Sequence, residues 1–293
     1  MKKHRKRISA GGSINAVLLL FLAFATAYPF LYLLSISLSD PALLARKGVI
    51  LLPRGIDFST YEYALSDERL LLGYKNTLIA VALDIVVGVL FTMMMAYPLA
   101  VRSGFTRYSN IIMKFVLVTM YFSGGLIPTY LVVRGLGLID TFWALCLPGA
   151  VSSFHLIIAR TFIRELPSEL YDAASIDGAN EVETFIKIVL PLSMPIVAVI
   201  IMYRAVGTWN SFFSPLLYLN SPDKYPLQIY LRELVIETSM VEFREVVAVN
   251  QQTFPAMSIK ACVLVLSTLP ILIAYPFLQK YFVKGMTIGA VKG

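Results

Sequence analysis

The stretch "ELYDAASIDGANEVETFIKIVLP", Glu169–Pro191, decides the reading of this chain. It is polar, yet the residues on either side of it are apolar over long runs. Pro167 and Ser168 are helix-start residues, and "ELYDAASI" follows as about two turns of helix. Asp177-Gly178 ends it, because glycine just past a helix adopts the left-handed conformation without a steric penalty. Asn180 then caps a second helix, with Glu183 as the capping-box partner three residues on. "EVETFIKIVLP" runs on toward the next apolar run until Pro191 and Pro195 bend it. On the first helix Leu170, Ala173, Ala174 and Asp177 are spaced to share one face. The two alanines keep that helix slim enough to enter a cleft, and Asp172 offers an acceptor to a partner's arginine or backbone. Chemically the segment is a plug for a socket.

Around it the chain is built for lipid. Hydrophobic residues make up 58% of 293, charged residues 15%, and the mean hydropathy is +0.74, against about 25% charge in a soluble domain. Apolar runs of span length fall at about 13–35, 76–101, 109–133, 141–162, 192–219 and 257–283. The expected fold is therefore all-α and integral to the membrane, with six transmembrane helices in a single domain over 13–293, after a basic N-terminus over 1–12. Pro29, Pro98, Pro128, Pro148, Pro195, Pro270 and Pro276 lie within these runs and predict bent helices.

Lys2, Lys3, Arg5, Lys6 and Arg7 precede the first run with no acid among them, which places the N-terminus in the cytoplasm. Ile14 to Leu34 exceeds a signal-peptide core, and no small-x-small cleavage site follows it, so an uncleaved first helix is expected. Six spans return the C-terminus to the cytoplasm, in keeping with Lys280, Lys284 and Lys292. Segments 36–75 and 220–256 are then external, and 163–191 is cytoplasmic. The first external loop is neutral, with Arg46, Lys47, Arg54, Arg69 and Lys75 against Asp40, Asp57, Glu62, Asp67 and Glu68. The formal net charge of +7 lies largely on cytoplasmic flanks, where anionic headgroups attract it, so nucleic-acid binding is not needed to explain it. Cys146 and Cys262 fall inside spans as small hydrophobes, and no metal site is expected.

Within the opening stretch an acid, Ala-Ala, three residues, Gly, nine residues, Ile, one residue and Leu-Pro stand at Asp172, Ala173, Ala174, Gly178, Ile188, Leu190 and Pro191. A chance match is well below roughly one in a million per starting position. This pattern resembles the cytoplasmic-loop signature of permease subunits of ATP-binding-cassette importers. The family's usual first residue is Glu, and Asp172 is one methylene shorter. "WNSFFSPLLYLNSPDKYPLQIYL" and the ending "YPFLQKYFVKGMTIGAVKG" extend the resemblance over nearly the whole chain, to the smaller permease of carbohydrate importers of the maltose-transporter type. Within that group the likeness is nearest to permeases for oligosaccharides and polysaccharide fragments, alginate included.

The resemblance implies the type I importer permease fold and a multi-pass protein of the bacterial cytoplasmic (inner) membrane. It also implies partners: a second, longer permease in a heterodimer, two ATPase subunits, and a soluble extracytoplasmic sugar-binding protein. No G-x-x-x-x-G-K-[ST] loop occurs in the sequence, so ATP and Mg would be bound by the separate ATPase, and this chain is expected to carry no cofactor and to be no enzyme. Glu169, Leu170, Tyr171, Asp172, Ala173, Ala174, Asp177, Gly178, Ala179, Ile188, Leu190 and Pro191 would couple it to that ATPase. The loop after span five carries Asp223, Lys224, Arg232, Glu233, Glu237, Glu242, Arg244 and Glu245, a mixed surface suited to a transient polar interface. Asp223, Lys224, Tyr225 and Arg232 are the expected contacts to the binding protein.

Sugars are gripped by aromatic faces and hydrogen bonds, which makes Trp209, Asn210, Phe212, Phe213 and Tyr218 candidates for a substrate path, with Tyr121 and Phe122. Intramembrane charge is costly and defaults to function, which adds Arg204, Asp84 and His155, each with an internal ion pair or a snorkelling side chain as the alternative. Arg204 would suit a sugar carboxylate. An intramembrane enzyme would need a nucleophile elbow or H-E-x-x-H, and a secondary transporter would show repeated halves; neither feature is present in the sequence.

Overall fold

The computed structural model describes residues 10–47, 51–101, 106–245 and 256–290. The basic residues from Lys2 to Arg7, the side chains of Glu237, Glu242, Arg244 and Glu245, and those of Lys280, Lys284 and Lys292 lie outside what is described. The described chain is helical. Helices α1 (Ala10–Ser37), α2 (Pro41–Lys47) and α3 (Ser59–Leu65) lead into the long α4 (Glu68–Ala100). Then come α5 (Thr106–Tyr121), α6 (Leu126–Gly135), α7 (Trp143–Cys146) and α8 (Ser153–Arg164). The opening stretch forms α9 (Glu169–Ile176), α10 (Glu181–Thr184), a π-helical turn over Phe185–Val189 and α11 (Leu190–Leu192). Finally α12 (Met194–Trp209), α13 (Phe213–Tyr218), α14 (Leu227–Glu245) and α15 (Ala256–Ala290) complete the chain.

Among the described residues three helices are long and apolar enough to cross a membrane: 14–37 in α1, all of α4, and 257–276 in α15. Two bent pairs raise the count to five if each is one span: α5 with α6, bent by 114°, and Glu181–Leu192 with α12, bent by 76°. The bends follow proline chemistry. Pro195 enters α12 in its first turn, where its missing N–H costs no helix bond, and Pro128 does the same in α6. Pro29, Pro98, Pro270 and Pro276 instead lie inside continuous helices.

The run 141–162, expected as one span bent at Pro148, is broken outright. It holds the four-residue α7 and the first ten residues of α8, separated by 147–152, which are not helical. Pro148 and Gly149 explain the break, since one removes a backbone donor and the other loosens the chain. Irregular backbone at membrane depth persists only where other groups satisfy it.

The described chain divides into two compact units. In the first, residues 1–68 and 233–269, Ile36, Leu44 and Ala261 form a small core. Ser37 Oγ and Tyr61 Oη lie 2.7 Å apart, and Cys262 Sγ donates to Thr60 O at 3.8 Å. The second, residues 69–232 and 270–293, holds the larger core, in which Met93, Ala96 and Tyr97 of α4 meet Leu156, Ala159 and Ile163 of α8, Val189 of the π turn, and Val197 and Ile200 of α12.

Candidate functional site

Two local devices build the 163–191 segment. Gly178 has φ +76°, with nothing within 4 Å of where a Cβ would stand, so the need for glycine there is one of backbone conformation alone. The capping box is complete: Asn180 Oδ1 accepts from Glu183 N–H at 2.9 Å, and Glu183 Oε2 accepts from Asn180 N–H at 3.2 Å. The Asn180 N–H and the Lys187 ammonium, 3.1 Å from Glu183 Oε1, hold the Glu183 carboxyl below its ordinary range. The helix start differs in detail, because Ser168 makes no side-chain cap and α9 begins with backbone bonds onto Pro167 O and Ser168 O.

The expected face of α9 is split. Ala174 is buried, and Leu170 and Tyr171 are half-buried, with Tyr171 packed on the main core, whereas Ala173 and Asp177 are exposed. At 100° per residue, positions 170, 171 and 174 span one arc and 173 falls outside it. Of the two alanines only Ala173 is therefore exposed; Ala174 is packed. Burial pushes the Tyr171 hydroxyl up, and it finds no partner among the described residues.

Sequence reasoning missed the apolar tip. Ile176 is 86% exposed, Val182 65% and Ile186 55%, flanking the glycine turn on both sides. Their spacing, 176, 182 and 186, bridges two helices and so falls outside any single-helix periodicity. The segment is fastened beneath by Tyr97, whose hydroxyl donates to Glu181 Oε2 at 2.6 Å while its ring lies 5.2 Å from Phe185. A cleft of about 500 Å³ opens alongside, lined in part by Tyr97, Arg164, Tyr171, Asp172 and Glu181. Of the remaining signature residues, Leu190 packs on the core, Ile188 and Ala179 are half-buried, and Glu169, Asp172 and Pro191 are exposed. The π turn precedes Pro191, whose ring would collide with the carbonyl four residues back in a regular α-helix.

Of the three intramembrane candidates, Arg204 and Asp84 pair with each other. Arg204 Nη1 donates to Asp84 Oδ1 at 3.0 Å, and Thr208 Oγ1 donates to Asp84 Oδ2 at 2.9 Å. Arg204 Nη2 donates to Ala150 O at 2.6 Å and Gly149 O at 3.1 Å, the carbonyls freed by the broken run. Both charged residues are buried. Gly88 makes room for them, since a Cβ there would stand 1.8 Å from Arg204 Cζ. Arg204 is thus committed to protein groups. His155 is a half-buried ring near Phe154 and Tyr203, with Nδ1 unpartnered among the described residues.

The aromatic candidates separate by exposure. Trp209 is buried with its ring 6.2 Å from Tyr74, and Tyr218 is buried and stacked on Tyr130. Tyr121, Phe122, Phe212 and Phe213 are exposed, and exposed Asn210 donates to Val206 O. In the loop that follows, Asp223 and Arg232 are exposed, Tyr225 is half-buried, and Lys224 Nζ lies 2.8 Å from Asp140 Oδ2. No group of three or more His, Cys, Asp or Glu side chains that could hold a metal occurs among the described residues.

Residues 77–288 match the family described as "Binding-protein-dependent transport system inner membrane component". The chain is 43% identical over 273 residues to Protein LplC of Bacillus subtilis (strain 168), covering 92% of this chain and 90% of that one. It is 39% identical over 278 residues to the polygalacturonan/rhamnogalacturonan transport system permease protein YtcP of the same organism, covering 94% and 96%. Its fold superposes with a TM-score of 0.84, at 29% identity and over 96% of this chain and 100% of the other, on a chain from the crystal structure of a bacterial ABC transporter involved in the import of the acidic polysaccharide alginate. The chain belongs to the binding-protein-dependent transport system inner membrane components: it is a multi-pass permease subunit of an ABC transporter in the inner membrane, not an enzyme.

Proposed function

We propose that this permease passes an acidic oligosaccharide, of the polygalacturonan or alginate type, from a soluble binding protein across the membrane by alternating access driven by a separate ATPase. The folded 163–191 segment carries this reading: a rigid helix–turn–helix with Ile176, Val182 and Ile186 in the open and Tyr97 fastening it beneath. Such a tip is suited to seat in a cleft of the ATPase. ATP binding there can drive the permease only by favouring one of its states over the other, and a stiff connection passes that difference on. ATP and Mg would sit on the ATPase. Six spans with both termini cytoplasmic complete the reading, with 141–162 crossing as a broken helix, 36–75 and 220–256 outside, and 13–293 acting as one permease domain after the basic residues 1–12.

The rest of the assembly would be a second, longer permease and two ATPase subunits. The acidic-substrate reading is supported by two relatives, one named for polygalacturonan and one structure described for alginate. Exposed Tyr121, Phe122, Phe212 and Phe213 are the aromatic surfaces suited to a sugar path, whereas Trp209, Tyr218 and Arg204 support it from within the protein. Asp223, Lys224, Tyr225 and Arg232 would present the outer loop to the binding protein.

Reconstitution in liposomes with candidate ATPase and permease partners tests the reading. ATP hydrolysis is expected to rise with binding protein loaded with oligogalacturonate or oligo-alginate, and to fall with Gly178→Pro or Ala173→Trp. Unchanged activity and assembly in both variants would overturn the docking role. Stimulation by a neutral or unrelated solute alone would reassign the cargo.

A further inference from the structure

The turn between α13 and α14 is held from two sides. Asp140, in the link between α6 and α7, is the described non-glycine residue with positive φ, 60°, a conformation that aspartate and asparagine tolerate better than most. Its carboxylate accepts from the N–H groups of Asn220 and Ser221, each at 3.0 Å, from the Ser221 hydroxyl at 2.5 Å and from Lys224 Nζ at 2.8 Å. Lys224 also donates to Asp140 O at 2.8 Å, and Asp140 N–H donates to Tyr218 O at 2.7 Å. These donors, Lys224 first, hold the Asp140 carboxyl well below the usual carboxylate range. From α4, Asn76 Nδ2 donates to the carbonyls of Asp223 and Tyr225 at 2.8 and 3.1 Å, and Thr77 Oγ1 accepts from Leu227 N–H at 2.9 Å.

A solvated connector requires none of this. The anchors engage the backbone and the Lys224 ammonium, and they leave the side chains of Pro222 and Asp223 exposed at the apex of a single 3-10 turn. With Lys224 paired to Asp140, the Asp223 carboxylate is the apex charge that makes no ion pair among the described residues. We infer that Asp140 is a positioning residue, which together with Asn76 presents the Pro222–Asp223 apex to a basic, donor-rich patch on the soluble binding protein. The inference rests on the reading that this loop faces that protein. Pre-ordering the turn removes an entropic cost from each docking event.

The test uses the complete reconstituted transporter, with its binding protein loaded with the uronate oligosaccharide that stimulates the unmodified complex. The readout is the concentration of binding protein that gives half-maximal stimulation of ATP hydrolysis. Asp140→Ala is expected to raise it about tenfold, the order of one lost ordered contact set. Asp140→Asn, which tolerates the same φ and keeps an acceptor oxygen, recovers most of the affinity, and Asp223→Lys weakens it as Asp140→Ala does. A merely structural role for Asp140 would lower the saturated rate without moving the half-stimulating concentration, and that result overturns the inference. If Asp140→Ala does not assemble, Lys224→Met, which removes a single arm of the clamp, is expected to raise the half-stimulating concentration; no change there overturns the inference equally. Should Asp223→Lys weaken docking while the Asp140 and Lys224 variants do not, the apex is a contact but Asp140 does not position it. Should none of them move it, the docking reading of the loop itself falls.

Discussion

The 163–191 segment and the Asp84–Arg204 set handle polar groups in opposite ways. In the first, polarity is local and wet: Asn180 and Glu183 satisfy each other across three residues, and Lys187 assists from the surface. In the second, partners 120 residues apart enclose a charge pair, and two carbonyls of a broken span accept from Arg204 Nη2, while its Nε finds no partner among the described residues. The wet segment leaves Ile176, Val182 and Ile186 exposed, and the dry one pairs its two charges with each other. A capped surface segment is organised by its own sequence, whereas a charge inside the bilayer is tolerable only through an arrangement of distant parts.

Substitutions in the two regions should therefore differ in kind. Arg204→Met strands Asp84 without its counter-charge and is expected to cost about 3–5 kcal/mol, read as a large fall in thermal stability in detergent. Adding Asp84→Leu should recover part of it, and a double variant no better than the single would show that the carbonyl contacts dominate. Gly88→Ala drives a methyl into the guanidinium and should cost about 1–3 kcal/mol by the same measurement. On the wet side, Asn180→Ala removes the cap at about 1 kcal/mol. Its partner Glu183 titrates below its ordinary value in the fold, so its contribution is present above the unfolded carboxylate value of about 4.3. That contribution is lost as the pH falls through the lower folded value, a dependence that a melting series in Asn180→Ala should flatten. Ile176→Ser should change stability by less than about 0.5 kcal/mol, yet, on the proposed docking role, lower the amount of ATPase recovered with the permease from the reconstituted complex. A variant that keeps its ATPase would erase the contrast drawn between the regions.

Legibility followed the range of the interactions. The glycine turn, the capping box and the bend around Pro191 and Pro195 were readable because each depends on residues within four positions. The face of α9 was misplaced because the spacing of apolar residues does not say which arc meets the body of the protein, and Tyr171 and Ala174 settled that by packing. Pro148 signalled a bend in 141–162, but the full break was not legible because hydropathy counts side chains, whereas the contacts of Arg204 with the carbonyls of Gly149 and Ala150 concern the backbone. Asp140 and Asn76 gave no local signal, since their partners lie 81 and 147 residues away.

By itself, the sequence determined that the chain lives in a membrane, that it carries a helix–turn–helix with the importer-permease signature, and where that segment is capped and bent. Those properties follow from composition and from hydrogen bonds between near neighbours. Only the tertiary structure decided that Arg204 closes on Asp84, that Ile176, Val182 and Ile186 stay exposed, and that Asp140 and Asn76 brace the 220–227 turn. Each of these depends on which distant segment fills the space beside it, a choice made by packing many side chains at once.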